Sequence, residues 1–72
     1  MEIEIYGEFI KLSQLLKKLA YAPTGGKTKF FINTHKITIN GNVPEGRNSK
    51  IRVGDTIWID DNVYKIIAKK ES

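Results

Sequence analysis

Cysteine is absent from the 72 residues, which removes both a disulfide framework and a thiolate metal site. Histidine is nearly so: His35 has no second His or Cys to complete a metal site, and no Ser or acid is spaced to make it a catalytic base. No apolar run approaches the length of a membrane span. The start, Met-Glu-Ile-Glu-Ile-Tyr, alternates charged and apolar residues, unlike the basic opening and continuous apolar run of a signal peptide. A cytoplasmic protein is the expectation. A chain this short holds one modest core and one domain, taken as residues 1–72, with no room for a second.

Acids are the other scarcity. Between Phe9 and Arg52 stand nine cations, Lys11, Lys17, Lys18, Lys27, Lys29, Lys36, Arg47, Lys50 and Arg52, against the single acid Glu45. That segment carries +8, while the two ends together carry −4, so the chain's net +4 understates the asymmetry. A basic surface confined to one stretch favours a polyanionic partner and speeds its encounter.

What is present reads as alternating strands and helices. Glu2 to Tyr6 places Ile3 and Ile5 on one face of a half-buried strand, and Gly7 breaks it. From Lys11 the period changes. Leu12, Leu15, Leu16 and Leu19 stand at i, i+3, i+4 and i+7 and draw one apolar stripe along a helix. Lys11, Gln14, Lys18 and Tyr21 fall on its far side, with Lys17 on the flank. Ala22-Pro23 is the predicted stop, because a residue before proline is driven out of the helical region.

A second helix should open at Thr24 or Gly25 and close near Thr34 or His35. Its start is chemically unusual. A first turn normally carries acids that offset the positive end of the macrodipole, whereas here the nearby charges are Lys27 and Lys29. Thr24 can cap one amide, Gly25 and Gly26 allow close backbone approach, and the remaining amides suit a phosphate. Thr28, Phe31 and Ile32 face one way; Lys29, Phe30 and Asn33 face another. Phe31 is the expected core residue. Phe30 is the candidate for partial exposure, placed to stack on an unpaired base. His35 is assigned to the helix C-terminal turn, where a left-handed conformation is tolerable for His, though less so than for Gly.

A strand follows from Lys36 and ends at Asn40-Gly41, a tight-turn pair that returns the chain towards Val43. Pro44 to Ser49 forms a polar loop carrying Arg47, with Lys50 and Arg52 just beyond. Val53 to Thr56 is another turn. Thr56 to Asp60 reads as a strand with Trp58 opposite Ile57 and Ile59, Val63 to Ala68 as the last strand, and Lys69 to Ser72 as a frayed tail.

Catalytic chemistry finds no footing. Gly26-Lys27-Thr28 has the tail of a phosphate-binding P-loop, but Tyr21 stands where the motif needs its first glycine. Asp60 and Asp61 are adjacent in a turn and diverge along an extended chain, so they make a poor acid–base pair. No activated nucleophile can be assembled, and the expectation is a protein that is not an enzyme and needs no cofactor or metal.

Four pieces in order, Leu12-x-x-Leu15-Leu16-Lys17, Thr24-Gly25-Gly26-x-x-Lys29-x-x-Ile32, Ile37-x-Ile39-Asn40-Gly41 and Lys50-Ile51-x-x-Gly54-Asp55-x-Ile57, resemble the alpha-L RNA-binding motif. This is the domain of small-subunit ribosomal protein four, in its short stand-alone bacterial version. The likeness covers roughly residues 11 to 59. It implies an α+β fold, two short packed helices against a small, strongly bent, mainly antiparallel sheet of four to five strands. It also implies RNA backbone held by the helices and a following loop. On that likeness Lys11 and Lys17 match basic positions of the first helix, and Thr24, Lys27 and Lys29 match the start of the second. Arg47 and Lys50 fall in the loop. Gly25 stands where many members have Arg, His35 where glycine is usual, and Phe30 at a commonly polar position.

The candidate RNA-binding set is Lys11, Lys17, Lys18, Thr24, Gly25, Gly26, Lys27, Lys29, Phe30, Arg47, Lys50 and Arg52. The expected partner is structured RNA, ribosomal or transfer, bound by a monomer through phosphates and shape. The alternative is a protein-interaction adaptor docking through Trp58 and the last strand on the ribosome or an RNA-processing enzyme. DNA binding is weaker, because no Arg-, Gln- or Asn-rich reading face lies behind the helix start.

Overall fold

A computed structural model describes residues 1–69. Six strands and two helices follow in the order β1 (Glu2–Ile5), β2 (Phe9–Lys11), α1 (Leu12–Lys18), α2 (Gly25–Thr34), β3 (Ile37–Ile39), β4 (Lys50–Arg52), β5 (Thr56–Ile59) and β6 (Asn62–Ala68). The main sheet has four strands in the order β1-β6-β5-β3, antiparallel except for the β1–β6 pair. β2 and β4 form a separate antiparallel pair.

Period-2 alternation decides which way each strand of the main sheet faces. Ile3 and Ile5, Tyr64 and Ile66, Ile57 and Ile59, and Ile37 all turn inward and are buried. They meet Leu12, Leu15 and Leu16 of α1 and Phe31 of α2, and Ile51 of β4 closes the core. The helices cover one face of the main sheet, and the other face is left to solvent. This is the α+β arrangement the sequence predicts, with β2 and β4 as additions.

α1 ends four residues before the expected Ala22-Pro23 stop. Ala20 adopts φ 64°, its amide donates to the Lys17 carbonyl at 3.1 Å, and the Tyr21 amide donates to the Leu16 carbonyl at 2.9 Å. These two bonds make a Schellman motif, a helix end that normally uses glycine at its left-handed position. An alanine there gives no sequence signal. The reversal also moves Tyr21 off the far side of α1, where the helical period placed it. Its hydroxyl lies 2.6 Å from the Tyr64 hydroxyl, and its ring lies 5.2 Å from that of Phe31.

α2 ends at Thr34 as expected, but His35 is extended, with φ −123° and ψ 154°, and not left-handed. The cause is its side chain. The imidazole stacks on Phe31, with centroids 3.9 Å apart, and its Nδ1 lies 2.8 Å from Asp60 Oδ2. Asp60 also accepts the Lys36 amide at 3.1 Å. Those bonds, His35's first, hold the Asp60 carboxyl below its ordinary value and tie the end of α2 to the β5–β6 turn.

Asn40 and Gly41, at φ 53° and 85°, form the tight turn expected of this pair. Ile39 and Asn42 exchange both backbone bonds across it, but the chain makes no longer hairpin. Of the tail expected to fray, the Lys69 amide donates to the Ile5 carbonyl at 3.0 Å; residues 70–72 lie outside the described residues.

Two outcomes test these local arguments. Ala20→Gly relieves the left-handed strain, less the extra freedom glycine has in the unfolded chain. It should raise the unfolding free energy by about 0.5–1 kcal/mol in urea titrations. The Tyr21 hydroxyl, and then burial, push the Tyr64 hydroxyl up to about 12 from an ordinary 10.0. A pKa raised on folding means stability that is full below the ordinary value and is lost as pH rises through 12. Tyrosinate absorbance should therefore show one of the three tyrosines ionising late, and Tyr21→Phe should bring that step back towards the ordinary value.

Candidate functional site

The start of α2 is built by Thr24. Its extended backbone, φ −131° and ψ 161°, turns the chain into the helix. Its hydroxyl oxygen accepts the Lys27 amide at 3.3 Å, and its carbonyl accepts both the amide and the hydroxyl of buried Thr28 at 2.9 Å. No acid stands in the first turn. The amides of Gly25 and Gly26 have no acceptor among the described residues, and both glycines are exposed. The positive end of the dipole therefore faces solvent without a protein carboxylate to offset it.

The loop between β3 and β4 reaches this point because α1 needs acceptors. The Leu12 amide donates to the Ser49 carbonyl and the Ser13 amide to the Arg47 carbonyl, both at 2.9 Å. Within the loop the Gly46 amide donates to the Ser49 hydroxyl at 3.2 Å. With its backbone pinned to α1, Arg47 extends its guanidinium to 3.4 Å from where a side chain at Gly25 would begin. Missing bulk at Gly25 leaves room for a cation carried by another segment.

Around this contact several expected residues gather. Lys17, Thr24 and Gly25 line a cleft of about 300 Å³ between the helices. Lys29 and Arg47 line a second, of about 550 Å³, where the loop passes α2. Lys27 and Gly26 are exposed in the first turns of α2. Phe30 is 70% exposed while Phe31 is 8% exposed, the division the helical period predicts.

The remaining expected residues stand apart from that group. Lys11 and Lys50 face each other across β2–β4 at its α1 end, and Arg52 pairs with Phe9 at the other. Lys18, exposed in the last turn of α1, lines neither cleft. Phe9 is a residue the sequence reading missed: the Lys50 ammonium lies 4.8 Å from its ring centroid. The alternation Phe9-Ile10-Lys11 is too short to signal a strand by itself; its pairing with Lys50-Ile51-Arg52 puts both isoleucines on one side. Among the described residues the one side-chain contact between a basic group and a carboxylate is His35–Asp60, so none of these cations is neutralised by a neighbouring carboxylate.

Residues 3–67 match the model of the S4 domain, and the chain belongs to that family. The match takes in both helices and all but the last residue of β6. A relative, the probable ribosome maturation protein RlbA of Bacillus subtilis (strain 168), is 34% identical over 58 residues, covering 81% of this chain and 82% of its own. No solved structure is significantly similar.

Neither space nor backbone conformation requires glycine at position 26. Gly26 lies inside α2 without a positive φ, and an added Cβ meets no atom within 4 Å. Gly26→Ala should therefore raise the unfolding free energy by about 0.4–1 kcal/mol in denaturant titrations.

Proposed function

We propose that this single domain is a non-catalytic RNA-binding protein that grips structured RNA, ribosomal or transfer, by its phosphate backbone, acting as a monomer in the cytoplasm. The observation that carries the reading is the acid-free start of α2, with two unpartnered glycine amides and the Arg47 guanidinium brought against it. Membership of the S4 family supplies the RNA identity, and a relative named for ribosome maturation points to ribosomal RNA as the first to test.

In this reading a phosphate sits on the Gly25 and Gly26 amides, where bare backbone permits contact and the helix dipole favours negative charge. Arg47 and Lys17 flank it, and Lys27 and Lys29 take neighbouring phosphates. Phe30 offers its exposed ring to an unpaired base, one turn from Lys27. Lys11, Lys50 and Arg52 extend the track along β2–β4. Lys18 adds charge at the end of α1. Binding of this kind releases counterions, so affinity falls with salt at a log–log slope of about −0.7 to −0.9 per phosphate contact.

Lys27 and Lys29, both changed to Glu, should weaken binding to an rRNA hairpin by more than about a hundredfold, since two charge-assisted bonds at roughly 1.5–3 kcal/mol each amount to about 3–6 kcal/mol. The salt slope should flatten by about 1.4–1.8, the equivalent of two phosphate contacts. The far-ultraviolet circular dichroism should be unchanged. Gly26→Ala should bind more weakly than the parent despite its greater stability. Equal RNA affinity in the parent and the double variant would remove the start of α2 from the interface.

A further inference from the structure

The solvent face of the main sheet carries a second constellation, on the side away from the helices. Trp58 lies between Thr38 of β3 and Val63 of β6 as their cross-strand neighbour. It is 46% exposed and Val63 is 36% exposed. An indole held open on the middle of a sheet keeps apolar area in water that a partner would cover. Two tight turns wall it in, one opening on Asn40 and the other on Asp60, each at φ 53°. The cavity between them is about 720 Å³, larger than either cleft beside α2, and is lined by Lys36, Thr38, Gly41, Trp58, Asp60 and Asp61.

Charge selects the occupant. The cavity sets two carboxylates against the one ammonium of Lys36. Asp60 is oriented by His35 and the Lys36 amide, whereas Asp61 is exposed and has no ion-pair partner among the described residues. Alternation along β1 turns Glu2 and Glu4 out on the same sheet, with Lys65 beside Glu2 in register. Along β1, Lys65 and the Met1 ammonium, 3.1 Å from the Val63 carbonyl, balance Glu2 and Glu4, but in the cavity two acids against one cation oppose a phosphate chain and attract a peptide cation. A guanidinium suits both halves of the site, since its plane stacks on indole while its fork bonds a carboxylate.

We infer that this face docks a basic segment of a partner protein, with an arginine lying on the Trp58 indole and paired to Asp61. The domain then has two working sides, phosphate at the helices and a cationic polypeptide on the sheet. The second does not depend on the first.

Trp58 is the sole tryptophan, so its emission reports this face alone. Titration at low salt with a synthetic peptide of alternating Arg and Gly should give a saturable change in that emission. The same peptide with Glu for Arg should give none. Asp61→Asn should weaken the peptide about fivefold, the scale of one exposed ion pair. Trp58→Leu, followed by calorimetry, should weaken it about tenfold. Both variants should bind the RNA hairpin like the parent, and the Lys27/Lys29 double variant should still bind the peptide. Absence of a saturable change, an Asp61→Asn affinity equal to the parent's, or an emission response to RNA but not to the peptide would each overturn the inference. Failure of the RNA reading would leave it standing.

Discussion

Two backbone bonds, from the Leu12 and Ser13 amides to the Ser49 and Arg47 carbonyls, hold the molecule's arrangement together. α1 has seven residues, too few to persist on its own, and begins after a lysine whose side chain cannot accept a bond. Gln14 returns to the Lys11 amide, and the next two amides depend on a loop distant in sequence. Supplying those carbonyls fixes the loop's path, and the path decides where Arg47 points. A requirement of helix termini thus delivers a cation to a different helix.

That dependence explains how the site was legible in outline and not in detail. The leucine stripe of α1, the Thr24 cap, the Phe30/Phe31 division and the Asn40-Gly41 turn are local patterns, and each appears where the spacing put it. What could not be read rests on contacts between distant residues. Ala20 takes a position that glycine usually fills, so the helix end was placed at the more visible proline. His35 follows Phe31 and Asp60, not the backbone preference of a helix terminus. β2 and β4 are three residues each, below the length at which alternation is informative, and only their pairing shows that Phe9, Lys11, Lys50 and Arg52 share one face. The cations themselves are visible in the sequence, but their division between the α2 start and the β2–β4 pair needed coordinates.

Charge separation along the sequence becomes charge separation in space through the way the sheet is ordered. The acids cluster near the chain ends, and β1 and β6 are neighbours in the sheet, so Glu2 and Glu4 share one side with Asp60 and Asp61. The basic middle segment supplies both helices and the loop across them. A domain of this size has little interior to spare for polar chemistry. What it offers to solvent differs between its two sides, exposed lysines and arginines around the helices and a face of mixed charge on the sheet, joined by a core of isoleucine and leucine.

The parallel pairing of β1 with β6 sets an order of events during synthesis. Glu2–Ile5 precedes its hydrogen-bonding neighbour, Lys65–Ala68, by 63 positions in the register Glu2 to Lys65. Until β6 is present the opening strand has no ladder, and Ile3 and Ile5 lack half the wall they finally rest against. Folding of the sheet therefore waits for β6, and closing so wide a loop slows it further. The helices and their basic turn draw on residues only as far as Ser49, so the helical side can take shape before β6 is in place.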